Sequence, residues 1–158
     1  MRILGIDPGY DRCGLAVVEK NKGKDTLLFS ACIPTDRKQT IAERLFDIEK
    51  QIQEVIDSHR PEAVALEKLF FNTNQKTAGA VGEARGMILS KSAENSLPVF
   101  EFTPAQIKVA ITGYGKSDKK QMIFMLPKLV SIQKEIKYDD EYDAIAVALT
   151  ALVSIKSV

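Results

Sequence analysis

The chain has 158 residues, the length of one ordinary domain, and 45% of them are hydrophobic against 27% charged, with 9 Gly and 6 Pro. That balance excludes collagen-like, low-complexity and disordered chains, and a chain of this size buries roughly two thirds of its unfolded surface. Lys and Arg number 22 against 21 Asp and Glu, a formal charge of +1, so any affinity for nucleic acid must come from local segregation of charge.

The first apolar run, residues 2–7, is closed by Asp7-Pro8-Gly9, and β-branched residues resume from Gly14 to Val18. Asn21-Lys22-Gly23-Lys24 marks a second turn before residues 26–33, so the first 33 residues read as a three-stranded antiparallel meander. The period then changes. Ile41, Leu45, Ile48, Ile52, Val55 and Ile56 form the stripe of an amphipathic helix that ends near His59, ahead of Arg60-Pro61, and core packing accounts for all six. Residues 63–66 make a short strand ended by Glu67. Residues 75–92 follow with Ala78, Val81, Ala84 and Ile88 at helical spacing, and their small side chains predict a tightly packed helix.

Residues 97–102 are a further strand, and Thr103-Pro104 is a good N-cap and N1 pair for a helix to about Ile111. A loop, Gly113-Tyr114-Gly115-Lys116-Ser117, precedes helices starting near Asp118 and near Asp140, and Pro127 should kink or split the first of these. No repeat or linker divides the chain. The expected architecture is a single α/β domain over residues 1–158, with a mixed sheet that joins an antiparallel meander to parallel strands.

Cys13 and Cys32 are too few for a disulfide framework, and with His59 as the single histidine no Cys/His zinc site can be completed. The same scarcity disfavours Ser-His-Asp hydrolysis and nucleases with a histidine base; His59 reads as a surface residue favoured by a helix C-terminus. The start at Met1-Arg2 runs directly into the first strand with no apolar stretch suited to a signal peptide or a membrane span, so a cytoplasmic location without a membrane partner is expected.

Four carboxylates fall at element ends: Asp7 after the first strand, Glu67 after the fourth, and Asp140 and Asp143 at the start of the last helix. Acids from separate segments suit hard divalent cations, and Asp7 and Glu67 would share one edge if their strands run parallel as neighbours. Each also has a structural reading. Asp7 before Pro-Gly can make an Asx turn, Glu67 can be a solvated strand end, and Asp140 with Asp143 can be an N-cap and a first-turn acid.

Gly115-Lys116-Ser117 ends like a phosphate-binding loop, but Ala110 stands where that pattern needs glycine and the preceding element reads as a helix, so a nucleotide site is rejected. Lys108, Lys116, Lys119, Lys120 and Lys128, opposed by Asp118, are either a solvated face or a surface that tracks phosphates. Phe70-Phe71, ahead of the polar stretch from Asn72 to Lys76, can anchor the core or stack on unpaired bases.

Taken in order, Ile3-Leu4-Gly5-Ile6-Asp7-Pro8-Gly9, Ala65-Leu66-Glu67 with Phe70, Gly82-Glu83-Ala84-Arg85-Gly86, and Asp140-Glu141-Tyr142-Asp143-Ala144-Ile145-Ala146 resemble the RuvC-type Holliday-junction resolvases. The resemblance spans nearly the whole chain. It implies a ribonuclease H-like fold and a homodimer that makes two symmetric magnesium-dependent cuts in four-way junction DNA during recombination and repair, with the RuvA-RuvB branch-migration complex as partner. It implies that Asp7, Glu67, Asp140 and Asp143 are the catalytic, metal-binding acids, holding two Mg2+ per site with Mn2+ as a substitute. Asp7 would bridge both ions, Glu67 would complete one site, and Asp140 with Asp143 the other.

Phe70 corresponds to an aromatic near the crossover, and Lys108 and Lys119 to basic residues near the scissile strand. Phe71, Lys76, Arg85, Lys116 and Lys120 complete the expected DNA contacts. A related nuclease with another substrate, a junction-binding module without turnover, and an actin-like ATPase are the alternatives, the last disfavoured by length.

Overall fold

The computed structural model describes residues 1–9, 11–68 and 75–155, without the side chains of 75–78. Strands β1 (Arg2–Asp7), β2 (Arg12–Glu19) and β3 (Asp25–Pro34) form the antiparallel meander. Helix α1 (Ile41–His59) leads to β4 (Ala63–Glu67), α2 (Gln75–Glu94) to β5 (Val99–Phe102), and then follow α3 (Pro104–Thr112), α4 (Lys119–Leu129), β6 (Val130–Ser131) and α5 (Asp139–Ser154). The strands make one mixed sheet in the order β5-β4-β1-β2-β3-β6. Strands β4 and β5 add parallel to β1, and β6 adds parallel to β3.

The pleat divides each strand between two cores. Leu4 and Ile6 of β1, with Leu15, Val17, Val64 and Leu66, pack under α1 and α2. Ile3, Ala16, Val18, Ala63 and Ala65 face α3, α4 and α5. Because residues i and i+2 share a face, Asp7 follows Ile3 and Gly5, and Glu67 follows Ala63 and Ala65, onto the α5 side. Helix α5 is buried nearly all round from Ala144 to Leu152, which its Ala-rich sequence permits.

Two glycines seat that helix. A Cβ on Gly5 would stand 2.1 Å from the Ala144 carbonyl oxygen, and one on Gly14 would stand 2.0 Å from that of Asp140. Helix backbone therefore rests directly on strand backbone, which no side-chain-bearing residue allows at these positions.

Several expectations change. The inward column of α1 begins with Arg44, one turn before Ile48, because Arg44 is buried against Asp11 and Thr35; Ile41 is left exposed. His59 is not favoured as a cation by the helix end: burial and the nearby Arg2 hold its pKa below the usual value, and its ring lies 5.1 Å from that of Phe29. The inner face of helix α2 is packed at Ala84 and Ile88, which are buried, while the side chain of Ala78 lies outside the described residues. Its other side is open, since among the described residues a Cβ on Gly79, Gly82 or Gly86 would meet nothing within 4 Å.

Pro127 does not split α4; it sits in the last turn, the helix runs on to Leu129, and its carbonyl accepts from Lys24 Nζ at 2.5 Å. Val130-Ser131 then extends the sheet, a two-residue strand with no pattern to announce it. Helix α5 starts at Asp139 with Tyr138 as N-cap and no side-chain cap, so Asp140 is not a capping residue.

The glycine contacts predict opposite outcomes for one added methyl group. Gly14→Ala should lose about 3 kcal/mol, because backbone must move, whereas Gly86→Ala in the open helix α2 should gain up to about 1 kcal/mol. Urea denaturation midpoints of the two variants against wild type check both signs.

Candidate active site

Parallel pairing of β1 with β4 places Ile6 opposite Leu66, so the next residues, Asp7 and Glu67, end adjacent strands at one edge of the sheet. The first turn of α5 lies over that edge, since Gly14, the antiparallel partner of Asp7, touches the backbone of Asp140. Asp7, Glu67, Asp140 and Asp143 are thus gathered from two strands and one helix. The electrostatics record their closeness. Burial, then the charges of Asp143, Asp140 and Glu67, raise the Asp7 pKa to about 7, with Lys119 opposing. Burial and Asp143 raise Glu67 against the pull of Lys108 and Lys119. Burial also raises Asp143, while its bond to Lys119 draws it down.

Cations bracket the acids. Lys119 Nζ lies 2.5 Å from Asp143 Oδ2 and 3.8 Å from Asp139. Burial disfavours its charge, but the bond to Asp143 and the neighbouring acids raise its pKa overall. On the other side, Arg12 Nε is 3.6 Å from Asp140 Oδ2, and its guanidinium stands 6.0 Å from the Tyr138 ring. The Cys32 thiol also donates to Asp140 Oδ2 at 3.7 Å, and burial, with the Asp140 charge, pushes that thiol up to about 11. Between α3, α4 and α5 a cleft of about 230 Å³ opens beside the acids, lined by Glu67, Lys108, Lys119, Tyr142 and Asp143.

Among the described residues, no three acidic, histidine or cysteine side chains stand close enough to close on one ion as placed. The chemistry of the set nevertheless fits a hard divalent cation: the donors are all carboxylate oxygens, they repel one another, and the Lys119 ammonium now supplies the balancing charge.

The expected DNA contacts divide. Lys108 and Lys119 line the cleft, and Lys116 and Lys120 are exposed on the loop before α4 and in its first turn. Arg85 is not a free surface cation: its guanidinium pairs with Glu101 and donates to the Glu67 carbonyl oxygen at 3.3 Å, bracing the strand end that carries Glu67. Phe70, Phe71 and the side chain of Lys76 lie outside the described residues. Sequence reasoning passed over Arg12 and Cys32, and no local signal could have found them, since their partner Asp140 is more than a hundred residues away.

The family model for crossover junction endodeoxyribonuclease RuvC matches residues 3–151. The chain belongs to that family. It is 45% identical over 148 residues to the crossover junction endodeoxyribonuclease RuvC of Thermosipho melanesiensis, covering 94% of each chain. It also superposes on the Thermus thermophilus RuvC structure with a TM-score of 0.88 at 34% identity, covering 96% of this chain and 93% of that one. For the T. thermophilus RuvC complex with a Holliday junction substrate the TM-score is 0.89 at 33% identity, with the same coverage. The ribonuclease H-like fold is shared, and membership implies a divalent metal cofactor. Among the described residues no helix is long and apolar enough to cross a membrane.

The raised Asp7 pKa fixes a pH dependence for the metal-free protein. From the ordinary 3.8 to about 7, the native state keeps a proton that the unfolded chain has released. Stability from this group is therefore fully present below pH 3.8 and is lost as pH rises through 7, on the order of a few kcal/mol in all. Asp7→Asn in EDTA should melt several degrees above wild type at pH 8 and match it near pH 4, read from thermal denaturation across that range.

Proposed function

We propose that this chain resolves four-way DNA junctions by metal-dependent hydrolysis of two symmetrically placed phosphodiesters, with Asp7, Glu67, Asp140 and Asp143 as the metal-holding acids. The observation that carries this is the convergence of those four acids, from β1, β4 and α5, in a chain of the RuvC family. The T. thermophilus relative has been solved with a Holliday junction substrate, which supports the same substrate class here.

Two divalent cations, Mg2+ in the cell with Mn2+ as a substitute, would supply a water of lowered pKa and positive charge at the phosphate. The protein's own groups do the rest. Asp7, central in the set, interacts with both α5 acids and Glu67; burial and those acids favour its protonated form, and cations bound there would favour the carboxylate. Lys119 guards Asp143 before that point and is then released to a phosphate of the scissile strand, with Lys108 across the cleft from it. Lys116 and Lys120 follow the backbone further out, Phe70 meets the unpaired bases at the crossover, and Phe71 and Lys76 are further DNA contacts.

A two-fold junction is matched by a two-fold protein, so the working unit is a homodimer that presents one site to each of two equivalent strands, acting beside the RuvA-RuvB complex in the cytoplasm. On an end-labelled mobile junction in Mg2+, wild type should make paired symmetric nicks and leave matched linear duplex intact. Asp7→Asn should lower cleavage by about 10²-fold or more while still binding the junction. Tight junction binding without nicks under Mg2+ or Mn2+ would leave a structure-specific binding module instead.

A further inference from the structure

The first turn of α5 has an acid at each of three successive positions, Asp139, Asp140 and Glu141, and no side chain caps it. Asp140 and Asp143 face the site. Glu141, between them in sequence, turns the other way and is buried, its side chain only 5% exposed. One of its oxygens, Oε2, accepts from Ser30 Oγ at 2.6 Å and from Lys134 Nζ at 2.8 Å. Lys134 Nζ also donates to the Ser30 carbonyl oxygen at 2.8 Å. The result is a closed triangle tying β3, the segment that enters α5, and α5 itself.

A buried carboxylate whose ammonium partner stays 43% exposed is poorly explained by stability alone. Desolvating the carboxylate carries a cost, and an apolar side chain of similar volume often packs there as well or better. What a charged triangle supplies, and apolar packing does not, is direction. Two residues along the same face of β3, Cys32 donates to Asp140 as Ser30 does to Glu141, so successive α5 acids are held by successive inward donors of one strand. With Asp140 backbone pressed on Gly14, the helix is fixed in height by the glycine and in rotation by Glu141. Turning the helix about its axis would displace the carboxylates of Asp140 and Asp143 together, because residues three apart share a face.

We propose that Glu141, clasped by Ser30 and Lys134, is a positioning residue that sets where Asp140 and Asp143 stand for metal binding. The inference rests on the metal-holding role of those two acids. Mn2+ alone is the probe: calorimetric titration of wild type, Glu141→Gln, Lys134→Met and Lys134→Arg, with melting temperatures and junction cleavage against Mn2+ concentration. Glu141→Gln and Lys134→Met should bind Mn2+ about 10-fold more weakly. Their half-maximal metal concentration for cleavage should rise by the same factor, while the rate at saturating metal stays close to wild type.

Lys134→Arg, which keeps the charge and the reach, should restore wild-type affinity. Should Glu141→Gln fail to fold, the Lys134→Met and Lys134→Arg pair decides, because Lys134 is partly exposed and its replacement leaves the core intact. Lower melting temperatures with unchanged Mn2+ affinity and unchanged metal dependence would overturn the positioning role and leave the metal reading intact. Wild type that takes up no Mn2+ would overturn both.

Discussion

Helix α5 lies on the sheet backbone to backbone, at Gly5 and at Gly14, and the arrangement of the site follows from that contact. An ordinary helix-on-sheet packing leaves a layer of side chains between the two backbones. Here the layer is missing at the strand ends, so the first helical turn descends to the level of the carboxylate of Asp7. The alanines at 144, 146, 148 and 151 let the rest of the helix follow. Acids that are far apart in the chain thereby become neighbours without a loop having to carry any of them.

Bringing acids this close raises the free energy of the ionised state, and the fold answers with cations placed on both flanks. Lys119 from α4 sits on Asp143, Arg12 from β2 sits on Asp140, and Lys108 acts on Glu67. A nearly neutral chain thus acquires an acidic centre with a basic surround, which is the segregation that a phosphate backbone and a divalent cation together require. In the structure the Lys119 ammonium is paired with the Asp143 carboxylate; under the proposed function a substrate phosphate is its second counterion.

Rigidity supports the same end. Asp7 and Glu67 leave central, paired strands, Asp140 and Asp143 leave a buried helix, and Arg85 ties the Glu67 carbonyl and Glu101 to α2. Groups held on such elements keep their relative positions better than groups on loops. Lys116 and Lys120, proposed to contact the substrate, are by contrast exposed on a loop and a helix start.

The sequence by itself determined the meander, the helices that follow it, the glycine and acid pattern, and the family. Alternation over residues 2–33, the stripe of α1 and the Thr103-Pro104 cap are local signals, written in residues that act on their own neighbours. The four acids were legible as a set because each ends or begins an element.

Which reading of each acid holds was a matter for the tertiary structure. Whether Asp140 caps a helix or faces Asp7 depends on where Tyr138 falls and on Gly14, over a hundred residues away. Arg44 in the core, the open face of α2, Arg85 on Glu101 and the two-residue β6 were likewise decided by partners that no local pattern names. Charge pairing and burial act through space, at a few ångströms, between segments whose separation along the chain carries no trace of their contact.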